Sequence, residues 1–78
     1  MSLTVEQNAL HLTEWVGVED AETLLAWLLD HPGGALHLAT LKHLHAACLQ
    51  VLMACRPTLA SWPQDPELLA WLHAALLD

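Results

Sequence analysis

The chain has 78 residues, of which 55% are hydrophobic and 14% charged, with a formal net charge of -7. That is enough for one domain and too apolar for intrinsic disorder. Only Lys42 and Arg56 are basic, so neither a phosphate backbone nor an anionic lipid surface finds the cations it needs. An acidic surface instead favours a basic partner.

Leu3-Thr4-Val5 is a short β candidate, followed by the polar turn Glu6-Gln7-Asn8. Asn8 is the residue there best suited to a left-handed conformation. Ala9 to Leu12 alternates, with Leu10 and Leu12 on one face and His11 on the other. The two segments predict a hairpin.

Ala21 to Asp30 has helical periodicity, with Ala21, Leu24, Leu25 and Leu28 on one stripe and Trp27 beside it. Glu19, Asp20 and Glu22 precede or enter its first turn, where the helix dipole favours acids. Pro32-Gly33-Gly34 ends it. Ala35 to Leu41 alternates again and reads as a strand. His43 to Arg56 has no breaker and predicts a second helix, stopped by Pro57, with Leu44, Cys48, Val51, Leu52 and Cys55 inward. Thr58 to Trp62 is a short last strand. Asp65-Pro66-Glu67 starts a third helix by an acidic N-cap and a proline at the first helical position. That helix runs to about Leu77, with Leu68, Trp71, Leu72, Ala75 and Leu76 inward.

The order is β-β-α-β-α-β-α, and residues 1–78 read as one α/β domain. Strands alternating with helices imply a mostly parallel, mixed sheet of about four strands, with the helices mainly on one face.

Cys48 and Cys55 are seven residues apart on one helix. A rise of about 10.5 Å is too long for a disulfide. Reduced cysteines suit a cytoplasmic protein. The start Met1-Ser2-Leu3-Thr4 lacks the pattern of a signal peptide, and no apolar run suits membrane insertion.

The six histidines raise the question of metal. His43 and His45 are two apart, and His11 and His37 are possible neighbours across two strands. Zinc sites need paired ligands in two places, and one loose pair does not provide them. No metal and no cofactor is expected. Cys48 near a helix start reads as a small buried hydrophobe and not a nucleophile, because no oriented base accompanies it. No catalytic residue is expected. Trp15 and Trp62 fit either a core edge or a binding hot spot, whereas Trp71 fits the core.

The middle of the chain resembles the STAS (anti-sigma factor antagonist) domain. That family has a strand, a loop of pattern Asp-Ser-x-Gly-Leu, and a helix. Here Ala35-Leu36-His37-Leu38-Ala39-Thr40-Leu41 resembles the strand, and His45-Ala46-Ala47-Cys48-Leu49-Gln50-Val51-Leu52 the loop and helix start. Glu19-Asp20-Ala21-Glu22-Thr23-Leu24 is similar to the first helix. The likeness runs from about Leu10 to Leu76. His45 stands at the family's aspartate, Ala46 at its phosphorylated serine and Cys48 at its glycine. The switch motif is therefore degenerate, since Ala46 has no hydroxyl to phosphorylate.

The resemblance implies a STAS-like fold and a non-catalytic bacterial regulator or adaptor in signal transduction. Its partner would be a sensor kinase or anti-sigma-like kinase. The partner-binding positions carried over are Ala46, Leu49, Gln50 and Met53. The last prediction of the sequence is that Ala46, Leu49 and Met53 form an exposed apolar stripe, covered by that partner or by a second copy in a homodimer. The alternative is a cytoplasmic subunit associated with a membrane transporter.

Overall fold

A computed structural model describes residues 2–77, so Met1 and Asp78 lie outside the described residues. Ten segments follow one another: β1 (Leu3–Glu6), β2 (Ala9–Leu12), β3 (Glu14–Val16), a 3-10 turn (Val18–Asp20), α1 (Ala21–Asp30), β4 (Ala35–His37), β5 (Leu41–Leu44), α2 (Ala46–Cys55), β6 (Thr58–Ser61) and α3 (Pro66–Leu76). The expected β-β-α-β-α-β-α layout stands, with β3 and β5 added to it.

The main sheet has the order β1-β2-β4-β6. β1 and β2 form the antiparallel hairpin, with Leu3 opposite Leu12 and Val5 opposite Leu10. β4 lies parallel to β2, and β6 parallel to β4. Gln7, not Asn8, takes the left-handed turn position, with φ 54°. Asn8 instead donates from Nδ2 to the Gly33 carbonyl at 3.3 Å, tying the hairpin to the loop before β4.

Alternation divides the faces. Leu10, Leu12 and Leu36 are fully buried and share one core with Leu24 and Leu28 of α1, Cys48 and Leu52 of α2, and Leu68 and Leu72 of α3. Ala9, His11, Ala35 and His37 point to the other face and are half-buried. The helices thus pack on one side of the sheet. Full burial of a leucine contributes roughly 1.5–3 kcal/mol, so this one face supplies most of the driving force. On the other face the His11 and His37 rings stack with centroids 4.5 Å apart, the cross-strand neighbours expected. Among the described residues no group of three or more His, Cys, Asp or Glu is arranged to hold a metal.

Two expected elements are redrawn. The strand predicted from Ala35 to Leu41 ends after His37. A tight turn, closed by Leu41 N–H donating to the Leu38 carbonyl at 3.0 Å, redirects the chain. β5 then pairs parallel with β3 in a separate two-stranded sheet. Consequently α2 starts at Ala46, not His43, and Leu44 is buried from a strand. Hydrophobic periodicity over such short runs fits either state, and the long-range partner β3 decides it.

Two side chains also change places. Leu25, expected inside, is exposed, and Trp27 is buried in its stead. The indole stacks on His31 at 4.3 Å, and its larger apolar surface takes the interior. Trp71, expected in the core, is 40% exposed. Trp62 packs edge-on against His73 at 4.8 Å, at the margin of the core.

Candidate functional site at the start of the second helix

The small sheet sets where α2 begins. His45 N–H donates to the Val16 carbonyl at 2.9 Å, so β3 holds the residue before the helix in extended conformation. His45 is the N-cap, and its Nδ1 accepts from Ala47 N–H at 3.0 Å. A side-chain acceptor at this place satisfies one of the orphan donors of the first turn. Arg56 closes the helix in the left-handed conformation, with φ 49°, ahead of Pro57. Its Nη1 donates to the Leu76 carbonyl at 2.6 Å, which fastens the end of α2 to the end of α3.

Behind the helix start lies the Gly17 turn. The Cys48 thiol is fully buried and donates to the Gly17 carbonyl at 3.2 Å. Asp20 Oδ2 accepts from Gly17 N–H at 3.0 Å and from Ser2 Oγ at 2.9 Å. Burial pushes the Cys48 thiol above its ordinary value, and the carboxylates of Asp20 and Glu19 push it the same way. The thiol is therefore a packed, protonated group at neutral pH and a poor nucleophile.

Cys55 is half-buried and free. Iodoacetamide at pH 8 is expected to modify Cys55 first and Cys48 only at the rate of unfolding, as read by peptide mass spectrometry. Because the folded-state value of Cys48 is raised, its contribution to stability is intact below the ordinary thiol range. It is lost as pH rises from that range through the raised folded-state value. Equal labelling of both thiols in the folded protein refutes this account.

The expected partner positions separate. Ala46, Gln50 and Met53 are exposed on α2, Met53 by 41%. Leu49 is not: it is 7% exposed and belongs to the core. The proposed stripe of Ala46, Leu49 and Met53 therefore loses its middle member. The reason is the helix phase. Cys48, Leu49 and Leu52 face inward together, while Val51 and Cys55 lie at the margin. With no charged residue between Ala46 and Cys55, the sequence carries little to fix that phase.

Beside the helix start is a group that the sequence pattern did not reveal. Trp15 of β3 stacks on His43 of β5, with ring centroids 3.9 Å apart. The indole remains 65% exposed. His45, two residues along the chain from His43, carries the cap of α2. An apolar Val16 after a polar Glu14 is the only local trace of the β3 strand.

No helix among the described residues is long and apolar enough to cross a membrane. No family model, no curated protein and no solved structure matches the chain.

Proposed function

We propose that this chain is a non-catalytic cytoplasmic adaptor that binds a partner protein through the start and outer face of α2. The observation that carries the proposal is the composition of that face. A solvated helix face is normally polar and charged. α2 has no charged residue, yet Ala46, Gln50, Met53 and Ala54 are exposed on it. The nine acids of the chain all lie elsewhere. Contact with a partner would bury Met53, and the amide of Gln50 would satisfy a polar group at the edge.

The resemblance to the STAS domain adds the partner class, a bacterial sensor kinase or anti-sigma-like kinase. It also adds what is missing. Ala46 offers no hydroxyl, and the Ala47 N–H that would greet a phosphate is taken by the His45 cap. The carboxylates of Glu19 and Asp20, near enough to act on Cys48, oppose an added anion. Binding through this helix is thus independent of phosphorylation. If the partner is a transporter instead, the chain attaches to it as a separate subunit.

The test is Met53→Asp. Fold and melting temperature are expected to stay within about 0.5 kcal/mol of the parent, because the side chain is exposed. Pull-down from the native host is expected to recover a kinase with the parent protein and to lose it with the variant. Undiminished recovery with Met53→Asp refutes the α2 interface. A transporter recovered in place of the kinase moves the assignment to the subunit reading.

A further inference from the structure

The four-stranded sheet ends in β1, and the outer side of that strand carries backbone groups that nothing among the described residues receives. Which groups these are follows from the hairpin. Thr13 N–H donates to the Ser2 carbonyl at 2.9 Å, one step beyond the pair Leu3 and Leu12. In an antiparallel ladder, hydrogen-bonded and non-bonded pairs alternate. Thr4 and Glu6 therefore turn their N–H and C=O toward β2, and Leu3 and Val5 turn theirs outward.

The side chains of the same two residues lie on the core side. Leu3 is opposite Leu12 and Val5 opposite Leu10, and directly opposed residues share a face. Leu10 and Leu12 are fully buried, yet Val5 is 58% exposed. At Val5 the sheet thus extends past its helical cover. Natural sheet edges are blunted by lysine, proline or a bulge. The other edge, β6, has Pro57 before it and a register shift in its ladder to β4. β1 has neither device: its ladder to β2 runs without a shift, and Leu3, Thr4 and Val5 carry no charge.

We propose that β1 pairs antiparallel with β1 of a second copy of this chain, about a two-fold axis at Thr4. Pairings that keep both core sides on one face set odd-numbered residues of β1 against odd-numbered ones. Of these, one engages both outward residues of both copies: Leu3 against Val5, with Thr4 against Thr4. Centred on Val5 instead, Leu3 meets Gln7, whose φ of 54° takes it out of the strand. In the Thr4 register each Leu3 exchanges both backbone bonds with the Val5 across from it, four bonds in all. The Leu3 and Val5 side chains of the two copies then cover one another on the core side. Glu6 falls opposite Ser2, so no two carboxylates are directly opposed, and it is already paired with His11 Nε2 at 3.2 Å. The contact is isologous, as a two-fold dimer requires. One four-residue strand makes a small interface, so the dimer is weak and forms with rising concentration. This surface does not depend on the outer face of α2.

The test is sedimentation and amide hydrogen exchange of the full chain from micromolar to millimolar concentration. The expected result is a monomer–dimer equilibrium in which the Leu3 and Val5 amides become protected as the dimer forms. The Thr4 and Glu6 amides are expected to be protected at every concentration, because they bond within the hairpin. Each copy carries a charge of -7, so added salt is expected to tighten the dimer. Val5→Pro removes an N–H that points outward, a place where an edge strand tolerates proline. It deletes two of the four bonds and is expected to weaken the dimer at least about tenfold while the fold stays. Val5→Lys blunts the same edge without touching the backbone, and decides the matter if the proline variant unfolds. A chain that stays monomeric throughout refutes the proposal, as does a dimer that both folded variants leave intact or one in which the Leu3 and Val5 amides stay unprotected. A dimer dispersed by Met53→Asp and not by Val5→Lys overturns it, because α2 is then the contact.

Discussion

Leu49→Asp is expected to unfold the protein, whereas Met53→Asp, four residues along the same helix, leaves it folded. Leu49 is 7% exposed and packs in the core formed by the sheet and the three helices. Removing a buried leucine side chain costs about 2–5 kcal/mol before any charge is added. Aspartate adds the desolvation of a carboxylate with no buried partner to receive it. Among the described residues no buried polar or charged side chain lines the core. The total stability of a chain this size is roughly 4–12 kcal/mol, so the loss is of the same order as the whole. Circular dichroism and thermal melting check the pair directly. A folded Leu49→Asp with lost partner binding restores the exposed stripe and overturns the packing of α2 described above.

The second large effect is expected at Gly34, which sits against the indole of Trp27. A Cβ placed on Gly34 meets Trp27 Cη2 at 2.5 Å and Cζ3 at 2.9 Å. The backbone of the turn is fixed by Gly34 N–H donating to the His31 carbonyl at 2.8 Å, and His31 in turn stacks on the indole. Neither side can yield by rotating a flexible tail, since the ring is buried. Gly34→Ala is expected to cost about 1–3 kcal/mol, the usual range for overpacking. For a domain of this length that lowers the melting temperature by roughly 4–8 °C per kcal/mol.

The cause is testable by coupling. In a Trp27→Leu background the ring is gone and the alanine finds room, so the cost of Gly34→Ala is expected to fall by more than half. Trp27→Leu loses no hydrogen bond to the described residues, because among them the buried Nε1 has no partner. Equal costs of Gly34→Ala in both backgrounds show that the clash is not with Trp27.

The sequence by itself determined the elements whose signals are local. The cap and proline at Asp65-Pro66 mark α3, and Asp65 Oδ1 accepts from both Glu67 N–H and Leu68 N–H, at 2.9 and 3.2 Å. Pro57 fixes the end of α2 and Pro32-Gly33-Gly34 the end of α1. Alternation in Ala9–Leu12 placed Leu10 and Leu12 inside and brought His11 to His37 across the strands. These are properties of a few neighbouring residues, and tertiary contacts only confirm them.

The tertiary structure alone decided the rest. Leu41 to Leu44 becomes a strand because β3 is there to receive its hydrogen bonds, and nothing within that segment says so. The rotation of α2 was weakly determined, since a helix of Ala, Cys, Leu, Val and Met with only Gln50 to mark a polar side has no charged face. Packing chose Leu49 for the interior and left Met53 outside. In α1 the choice between Leu25 and Trp27 went to the larger ring, for which the space under Gly34 was available. The candidate site divides the same way. Ala46, Gln50 and Met53 were legible as an outer helix face, while the Trp15–His43 stack exists only because two three- and four-residue strands meet in register. A pairing between residues so far apart in the chain leaves no periodicity to read, and it is this pairing that carries the exposed tryptophan to the surface.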